Sequence, residues 1–348
     1  MAVRVAVDAN GADLGPAEVA AGAAIAAQSG VLVTLFGPAA EIGELPDGVT
    51  IIDAPVSIAK AADPAAAARS TPEASIVRAA RAVADDEADA LVSGGSTGAA
   101  LAAALFNVRR GRGIHRPALA MPIPIGSGRR VTMLDVGANA EVRAEHLIQF
   151  AFMGAALAQT VLGVQRPRVA LLSNGGEANK GTPLIVEAHT ALRDRVGGSD
   201  ALEFVGNIEG HDLTQGVADV VVTDGFTGNV VLKTMEGVSQ TVLGQVRTAA
   251  TSSMRAKAGG LLLRPALRGF RDEIDPEANG GAYLLGLRRL GVVPHGRYSR
   301  HGFAQAILLA ARGVSGDLVG RTHAALEAAG ALKRSRDASA VGLTVGDP

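Results

Sequence analysis

The sequence contains no cysteine and no tryptophan, with only two tyrosines and eight phenylalanines among 348 residues. Without cysteine there is no disulfide, no thiol nucleophile and no Cys-ligated zinc, so any covalent catalysis is left to Ser, Thr, Lys, His or a carboxylate. With aromatics at 3% and hydrophobic residues at 48%, Ala, Val and Leu must fill the interior. Neither sign of charge dominates: 33 Lys plus Arg face 34 Asp plus Glu. That balance excludes a uniformly basic nucleic-acid binder and an acidic disordered chain. No run approaches the roughly 20 apolar residues of a membrane span. The opening MAVRVAVDANGAD has no basic segment followed by an apolar one, so a cytoplasmic protein is expected. Glycine, by contrast, is abundant: 44 residues, about one in eight where average usage is near 7%.

Short runs of Val, Leu and Ile alternate with longer Ala-rich segments, the rhythm of an open α/β sheet of mostly parallel strands with helices on both faces. The pattern predicts strands at 3–7, 31–36, 50–53, 89–93, 130–135, 168–173, 202–206 and 218–223. It predicts helices at 17–28, 74–84, 97–108, 144–162, 182–195, 229–249, 301–312 and 317–329. The alanine run near 61–68 reads as a helix or connector. Residues 1–330 are expected to form one domain with room for two lobes, and 331–348 a flexible tail.

Most of the strands run straight into a glycine-containing turn. Four such turns stand out: Asp8-Ala-Asn-Gly-Ala-Asp13, Ser93-Gly-Gly-Ser-Thr-Gly98, Asn174-Gly-Gly-Glu-Ala-Asn-Lys-Gly181 and Asp224-Gly-Phe-Thr-Gly-Asn229. In open α/β sheets ligands bind beyond the carboxyl ends of the strands, where glycine lets main-chain N–H groups approach an anion and a following helix N-terminus favours it. Each turn alone also reads as a purely structural tight turn. None has G-x-G-x-x-G spacing, and Lys180 precedes Gly181 instead of following a glycine as in a P-loop, so nucleotide readings lose ground to a small anion.

Lys180 is a candidate point charge for phosphate or a developing oxyanion, beside the reading of a solvated lysine. Asn229 opens a long helix, where it either caps the backbone or meets substrate. Asn207 and Glu209, in Gly206-Asn-Ile-Glu-Gly210, follow a strand and read as a structural turn or as groups in the same crevice. Of the seven histidines, His295 in Val-Val-Pro-His-Gly is the functional candidate. No H-E-x-x-H pair or other metal-ligand spacing is evident, and no metal or cofactor is expected.

In order along the chain, VDANGADLGP, VSGGSTGA, GIHRPALA, MLDVGANAE with EHLIQFAFMG, LLSNGGEANKGT, FVGNIEGHDL, ADVVVTDGFTGNVVLKTMEG, GGAYLLG and VVPHG resemble one family over about residues 3–312. It is the phosphate acyltransferase of bacterial phospholipid synthesis, the PlsX family. The sequence departs from the family pattern at Asn10, Ala12, Ser96, Ser173-Asn174 and Glu141, and around Arg297, Tyr298 and Arg300. The resemblance implies a Rossmann-like fold of the isopropylmalate dehydrogenase kind. The implied reaction transfers a long-chain acyl group from acyl carrier protein to inorganic phosphate, giving acyl phosphate for phosphatidic acid and phospholipid synthesis.

Phosphate is already a nucleophile at neutral pH, so this chemistry suits a chain without cysteine: it needs the anion held and aimed, and the oxyanion stabilised. Lys180 and Asn229 are the candidate catalytic residues. Asp8, Asn10 and Gly11; Gly94, Gly95, Ser96, Thr97 and Gly98; Asn207 and Glu209; and Asp224, Gly225, Thr227, Gly228 and His295 are the candidate phosphate- and substrate-binding residues. An acidic carrier protein needs a local basic surface. Arg109, Arg110, Arg112, His115 and Arg116 form one candidate cluster, and Arg288, Arg289, Arg297 and Arg300 another. Between 237 and 271 the chain holds six basic and no acidic residues. There Leu261, Leu262, Leu263, Leu267 and Phe270 form an amphipathic segment fit for peripheral, reversible contact with the inner face of an anionic membrane, or for a dimer interface. The family further implies a homodimer and a downstream glycerol-phosphate acyltransferase as partners. The competing readings are a short-chain phosphotransacylase using acyl coenzyme A, a metal-dependent dehydrogenase of the isopropylmalate type with Asp219 and Asp224 as ligands, and a non-enzymatic lipid-regulatory scaffold.

Overall fold

A computed structural model of the chain describes residues 2–126, 128–196, 201–273 and 275–333, without the side chains of 266–268, 270–273 and 276. The amino-terminal half runs β1 (Arg4–Asp8), α1 (Pro16–Ala27), β2 (Leu32–Gly37), α2 (Ala39–Ile42), β3 (Val49–Asp53), α3 (Pro64–Ser70), α4 (Ser75–Ala84), β4 (Ala90–Ser93) and α5 (Thr97–Asn107). It continues with β5 (Ala118–Pro124), β6 (Arg130–Leu134), α6 (Ala144–Val161), β7 (Arg168–Leu172), α7 (Pro183–Val196), β8 (Glu203–Ile208) and β9 (Val220–Val222). Two long helices follow, α8 (Gly225–Thr251) and α9 (Met254–Glu273), then β10 (Ala282–Leu285), β11 (Leu290–Val293), α10 (Arg300–Ser315) and α11 (Leu318–Ala328).

All eleven strands belong to one sheet, in the order β3-β2-β1-β4-β11-β10-β5-β6-β9-β7-β8. The pairs are parallel except β11–β10, β10–β5 and β5–β6. Runs such as Val5-Ala6-Val7 and Val220-Val221-Val222 are buried on both faces, as strands covered by helices on each side must be. Helices α1, α6, α7, α10 and α11 pack on one face. Helices α3, α4 and α5, with the first turns of α8, cover the other. The expected mostly parallel α/β sheet with helices on both faces is therefore the fold.

Most of the few aromatics lie inside: Tyr283, Tyr298, Phe150, Phe152 and Phe303 are among the largest fully buried side chains. Much of the remaining close packing uses glycine. A Cβ on Gly154 of α6 would stand 2.5 Å from Val220, and one on Gly313 of α10 2.5 Å from Leu290. Part of the glycine excess thus lets helices lie close on the sheet and has no ligand to serve.

The expected strands and helices appear within a few residues of their bounds; α8 begins earlier, at Gly225. The patterning missed β5, β10 and β11 and the helices α2 and α9, and the alanine run proves to be part of α3. Of the expected tail, 331–333 pack on the body: Ala331 is buried and its carbonyl accepts from Gln149 at 2.8 Å, while the Lys333 amide donates to Gly113. The remainder, with Arg334, Arg336 and Asp337, lies outside the described residues.

Candidate active site

A cleft of about 1200 Å³ opens beyond the carboxyl ends of β1, β4 and β11 and along α8. Its floor is organised by Asp8, which ends β1 and is 3% exposed. One carboxylate oxygen accepts from Ser75 Oγ at 2.6 Å and from the Asn10 amide at 3.2 Å; the other accepts from Ser93 Oγ at 2.8 Å. Burial pushes this carboxyl above the usual aspartate range, and the three donors pull it back. Asp8 therefore ties the loops after β1 and β4 together from beneath the cleft. Asn10 does the same sideways: its side chain donates to Pro55 O at 2.9 Å and its carbonyl accepts from Ser57 Oγ at 2.6 Å.

The glycines let these loops nest. A Cβ on Gly11 would stand 2.8 Å from Ala59 Cβ, and one on Gly94 2.5 Å from the Phe303 ring. Gly94, Gly95, Ser96 and Thr97 line the cleft. Ser96 caps α5 by accepting the Ala99 amide at 3.2 Å, so the first-turn amides of Thr97 and Gly98 stand at a helix N-terminus suited to an anion. Lys60, from the loop between β3 and α3, adds an exposed ammonium to the same rim.

The opposite wall is the start of α8. Asp224 caps it, accepting the Thr227 amide at 2.8 Å and the Thr227 hydroxyl at 2.7 Å. That cap leaves Asn229 free of the capping role and turns its side chain into the cleft, where it donates to Val136 O at 3.1 Å. Lys233, one helical turn on, lines the cleft beside it. The turn is fixed by Asp135, fully buried, which accepts from the amides of Leu119, Gly137, Ala138 and Asn139 and from the Asn139 side chain. Gly225 and Gly228 lie against this knot; a Cβ on Gly228 would fall 1.9 Å from the Asp135 carbonyl oxygen.

His295 closes the third side with Pro294, Gly296 and Tyr298. Its ring stacks on Tyr298 with centroids 6.1 Å apart. Burial, with help from Arg297, holds its pKa below the usual 6.5, so the imidazole is neutral at neutral pH.

The third glycine turn lies elsewhere. Lys180 follows β7, six places from β4 in the sheet order but next to β9, which leads into α8. It is exposed, its stem packs over Gly175, and it is absent from the lining of the cleft. Asn207 supports that loop: its side chain donates to Glu177 O at 2.9 Å and to Lys180 O at 3.4 Å, and its amide oxygen meets His189 Nδ1 at 3.1 Å. Glu209 begins a 3₁₀ turn (Gly210–Thr214), its amide donating to Asp212 at 3.0 Å. The structure thus gathers Gly11, Gly94 to Thr97, Asn229 and His295 around one cleft. It places Asp8, Asn10, Asp224 and Thr227 in the supports and Lys180, Asn207 and Glu209 on a separate loop system.

Sequence reasoning overlooked Lys60, Lys233 and Glu236. Lys233 had a legible signal, since its i+4 spacing from Asn229 puts both on one helix face. Lys60 follows no pattern and is brought in by the chain path alone.

The second basic cluster divides. The Arg288 amide donates to Arg109 O at 3.0 Å, so Arg288 and Arg289 join the Arg109–Arg112 loop at the amino ends of β4 and β11, away from the cleft. Arg289 pairs with Asp86 there, whereas Arg297 pairs with Glu236 at 3.4 Å and Arg300 with Glu18 at 2.8 Å on the cleft side. Asp219, offered as a metal ligand by the dehydrogenase reading, is held by Arg168 at 2.9 Å. Among the described residues, His115, Glu145 and His146 come together with ligand spacing. His146 Nδ1 accepts the Arg143 amide at 3.2 Å, which puts the proton of the neutral ring on Nε2, facing Glu145. That nitrogen is a donor, and the trio reads as a cap for α6.

The fatty acid synthesis protein family matches residues 3–321. A phosphate acyltransferase of Lactococcus lactis subsp. cremoris is 40% identical over 325 residues, covering 92% of this chain and 97% of its own. One of Streptococcus equi subsp. zooepidemicus is 44% identical over 299 residues, covering 84% and 88%. Among solved structures, a phosphotransacetylase from Staphylococcus aureus superposes with a TM-score of 0.59 at 18% identity, covering 90% of this chain and 94% of its own. A branched-chain phosphotransacylase from Enterococcus faecalis does so at 0.57 and 16%, covering 90% and 99%. At such identities the structures speak for the fold alone. The sequence matches carry the assignment: the chain belongs to the phosphate acyltransferase family, PlsX, and is an acyl-transferring enzyme.

Proposed function

We propose that the chain transfers a long-chain acyl group from the thioester of acyl carrier protein to inorganic phosphate, yielding acyl phosphate for phospholipid synthesis. The observation that carries this reading is the pairing, around one cleft, of the α5 N-terminus with Asn229 and Lys233 of α8. Phosphate sits against the Thr97 and Gly98 amides, its charge offset by Lys60 and Lys233. One phosphate oxygen attacks the thioester carbonyl carbon. The second N–H of Asn229, whose first is fixed on Val136, stabilises the tetrahedral oxyanion. The carbon–sulfur bond breaks, the thiolate leaves and takes a proton from solvent, and the mixed anhydride remains.

Acyl phosphate formed from palmitoyl carrier protein and phosphate, trapped with hydroxylamine and compared with acetyl coenzyme A as donor, tests the reaction. Asn229→Ala and Lys233→Ala are each expected to lose about 10²- to 10³-fold in turnover. Near-normal rates in both folded variants would overturn the assignment. Lys180→Ala belongs in the same assay: a loss as large as that at Lys233 would give the charge-neutralising role to the 174–181 loop.

The projecting hairpin of α8 and α9 supports two further parts of this reading. Of the 27 residues of α8 only Gly225 and Gly228 are buried. Phe226, Val230, Val238, Val242 and Val246 stand exposed at multiples of four, a ridge suited to a second copy of the chain. On α9, Leu261, Leu262 and Leu263 are 66%, 83% and 59% exposed beside Arg255, Lys257 and Arg264. Among the described residues no helix is long and apolar enough to cross a membrane; this basic, leucine-tipped one suits reversible contact with an anionic bilayer, where a glycerol-phosphate acyltransferase would consume the product. Leu267 and Phe270, expected in the same contact, have side chains outside those described.

A further inference from the structure

Helix α8 does not end its work at Lys233. On the face that meets the cleft, Leu232, Met235, Ser239 and Leu243 recur at steps of three and four, as one side of a helix must. Facing them is β5, with Met121, Ile123 and Pro124. The space between is an open groove of about 920 Å³, walled mainly by apolar side chains. It is not a separate feature of the surface. Met121, Leu232 and Glu236 line both this groove and the polar cleft, so the two share a wall and run into one another.

The junction has a distinct chemistry. Glu236 reaches Arg297 at 3.4 Å where the lining changes from lysines, amides and glycines to leucine and methionine. A ligand that fills both spaces needs a compact anionic or carbonyl head and a long apolar tail. Helical rise sets the tail: from Leu232 to Leu243 is about 16 Å. An extended chain of roughly a dozen carbons, with C–C bonds of about 1.5 Å, covers that distance.

Resting on the acyl-transfer reading above, we infer that the α8–β5 groove holds the hydrocarbon tail of the acyl donor, with the carbonyl at Asn229 and the chain running outward along α8 past the Glu236–Arg297 pair. Ser239 lies midway along the groove and Leu243 at its far end, which makes these two positions the determinants of chain length. Val238 and Val242 stand three residues from Met235 and Ser239, so the exposed ridge borders the groove and a second copy of the chain would pack alongside the tail.

The test fills the groove halfway. Ser239 is exposed, so Ser239→Phe adds bulk without disturbing the core. The kcat/KM ratio for palmitoyl over octanoyl carrier protein is expected to fall roughly tenfold or more, because the longer tail loses its contacts while the shorter one stops before residue 239. Leu243→Ala, which opens the far end, is expected to move the ratio the other way, toward donors longer than palmitoyl. An unchanged ratio in Ser239→Phe, including equal loss on both donors, would overturn the groove assignment while leaving acyl transfer intact. Failure of the unsubstituted protein to form acyl phosphate from either donor would instead remove the reaction on which the inference rests.

Discussion

Three imidazoles give the protein a built-in sensitivity to acid. Burial is the largest cause holding His115, His146 and His295 below the ordinary histidine value of 6.5. Between the lowered values and 6.5 the unfolded chain binds more protons than the folded one, so stability is full above that window and is lost as pH falls through it. Tm is expected to hold steady above about pH 7 and drop on acidification, with His295→Gln removing part of the slope. A flat Tm profile from about pH 5 to 8 would contradict this. At this scale the sequence was partly legible. His295 and Asn229, singled out in the sequence through their neighbours Pro294, Gly296 and Gly228, both line the cleft. Asp8 looked like a ligand group and turned out to be a buried tie, because a sequence states that a carboxylate follows a strand and not which serines will surround it.

Among the elements, α8 joins most of the proposed roles, and its placement depends on its first turn. Gly228 lets the helix start against Asp135, and Gly228→Ala would force a methyl to within 1.9 Å of a carbonyl oxygen. The variant is expected to lose about 1–3 kcal/mol or more. Gly237, on the same helix, has open space around it. Gly237→Ala should therefore gain about 0.5–1 kcal/mol through helix propensity alone. Denaturant midpoints of the two variants moving in the same direction would defeat this reading. The elements that patterning missed have physical reasons for it. β5 contains Pro122 and Pro124, which break the strand signal, and it sits where the sheet turns antiparallel. β10 and β11 are separated by the turn at Gly286, and Gly291 interrupts the apolar run of β11, so neither reads as a bounded strand. The parallel strands were legible because burial on both faces leaves continuous Val, Leu and Ala runs.

For the whole molecule, the exposed hairpin makes two demands that solution experiments can separate. Val238→Glu with Val242→Glu places charge on the α8 ridge and is expected to shift the protein toward monomer in analytical ultracentrifugation, leaving vesicle binding through α9 in place. Leu262→Glu is expected to weaken flotation with anionic vesicles and leave the oligomeric state unchanged. If both variants disturbed both properties equally, the division of labour between the two helices would be wrong. No periodicity revealed this architecture in advance: the basic, leucine-containing stretch was visible, but only the fold shows that α8 carries it away from the sheet.

The sheet order has a consequence for how the chain is made. Among the described residues, strands β3, β2, β1 and β4 form one block and β5, β6, β9, β7 and β8 another, joined within the sheet only by the hairpin β10–β11. That hairpin is the last strand pair in the chain, so while synthesis proceeds from the amino terminus, β4 and β5 each wait with an unpaired edge in the middle of the future sheet. Such edges invite pairing with other chains. A chain halted before residue 282 would hold two half-sheets with sticky inner borders, and the final hairpin is the keystone that turns them into one protein.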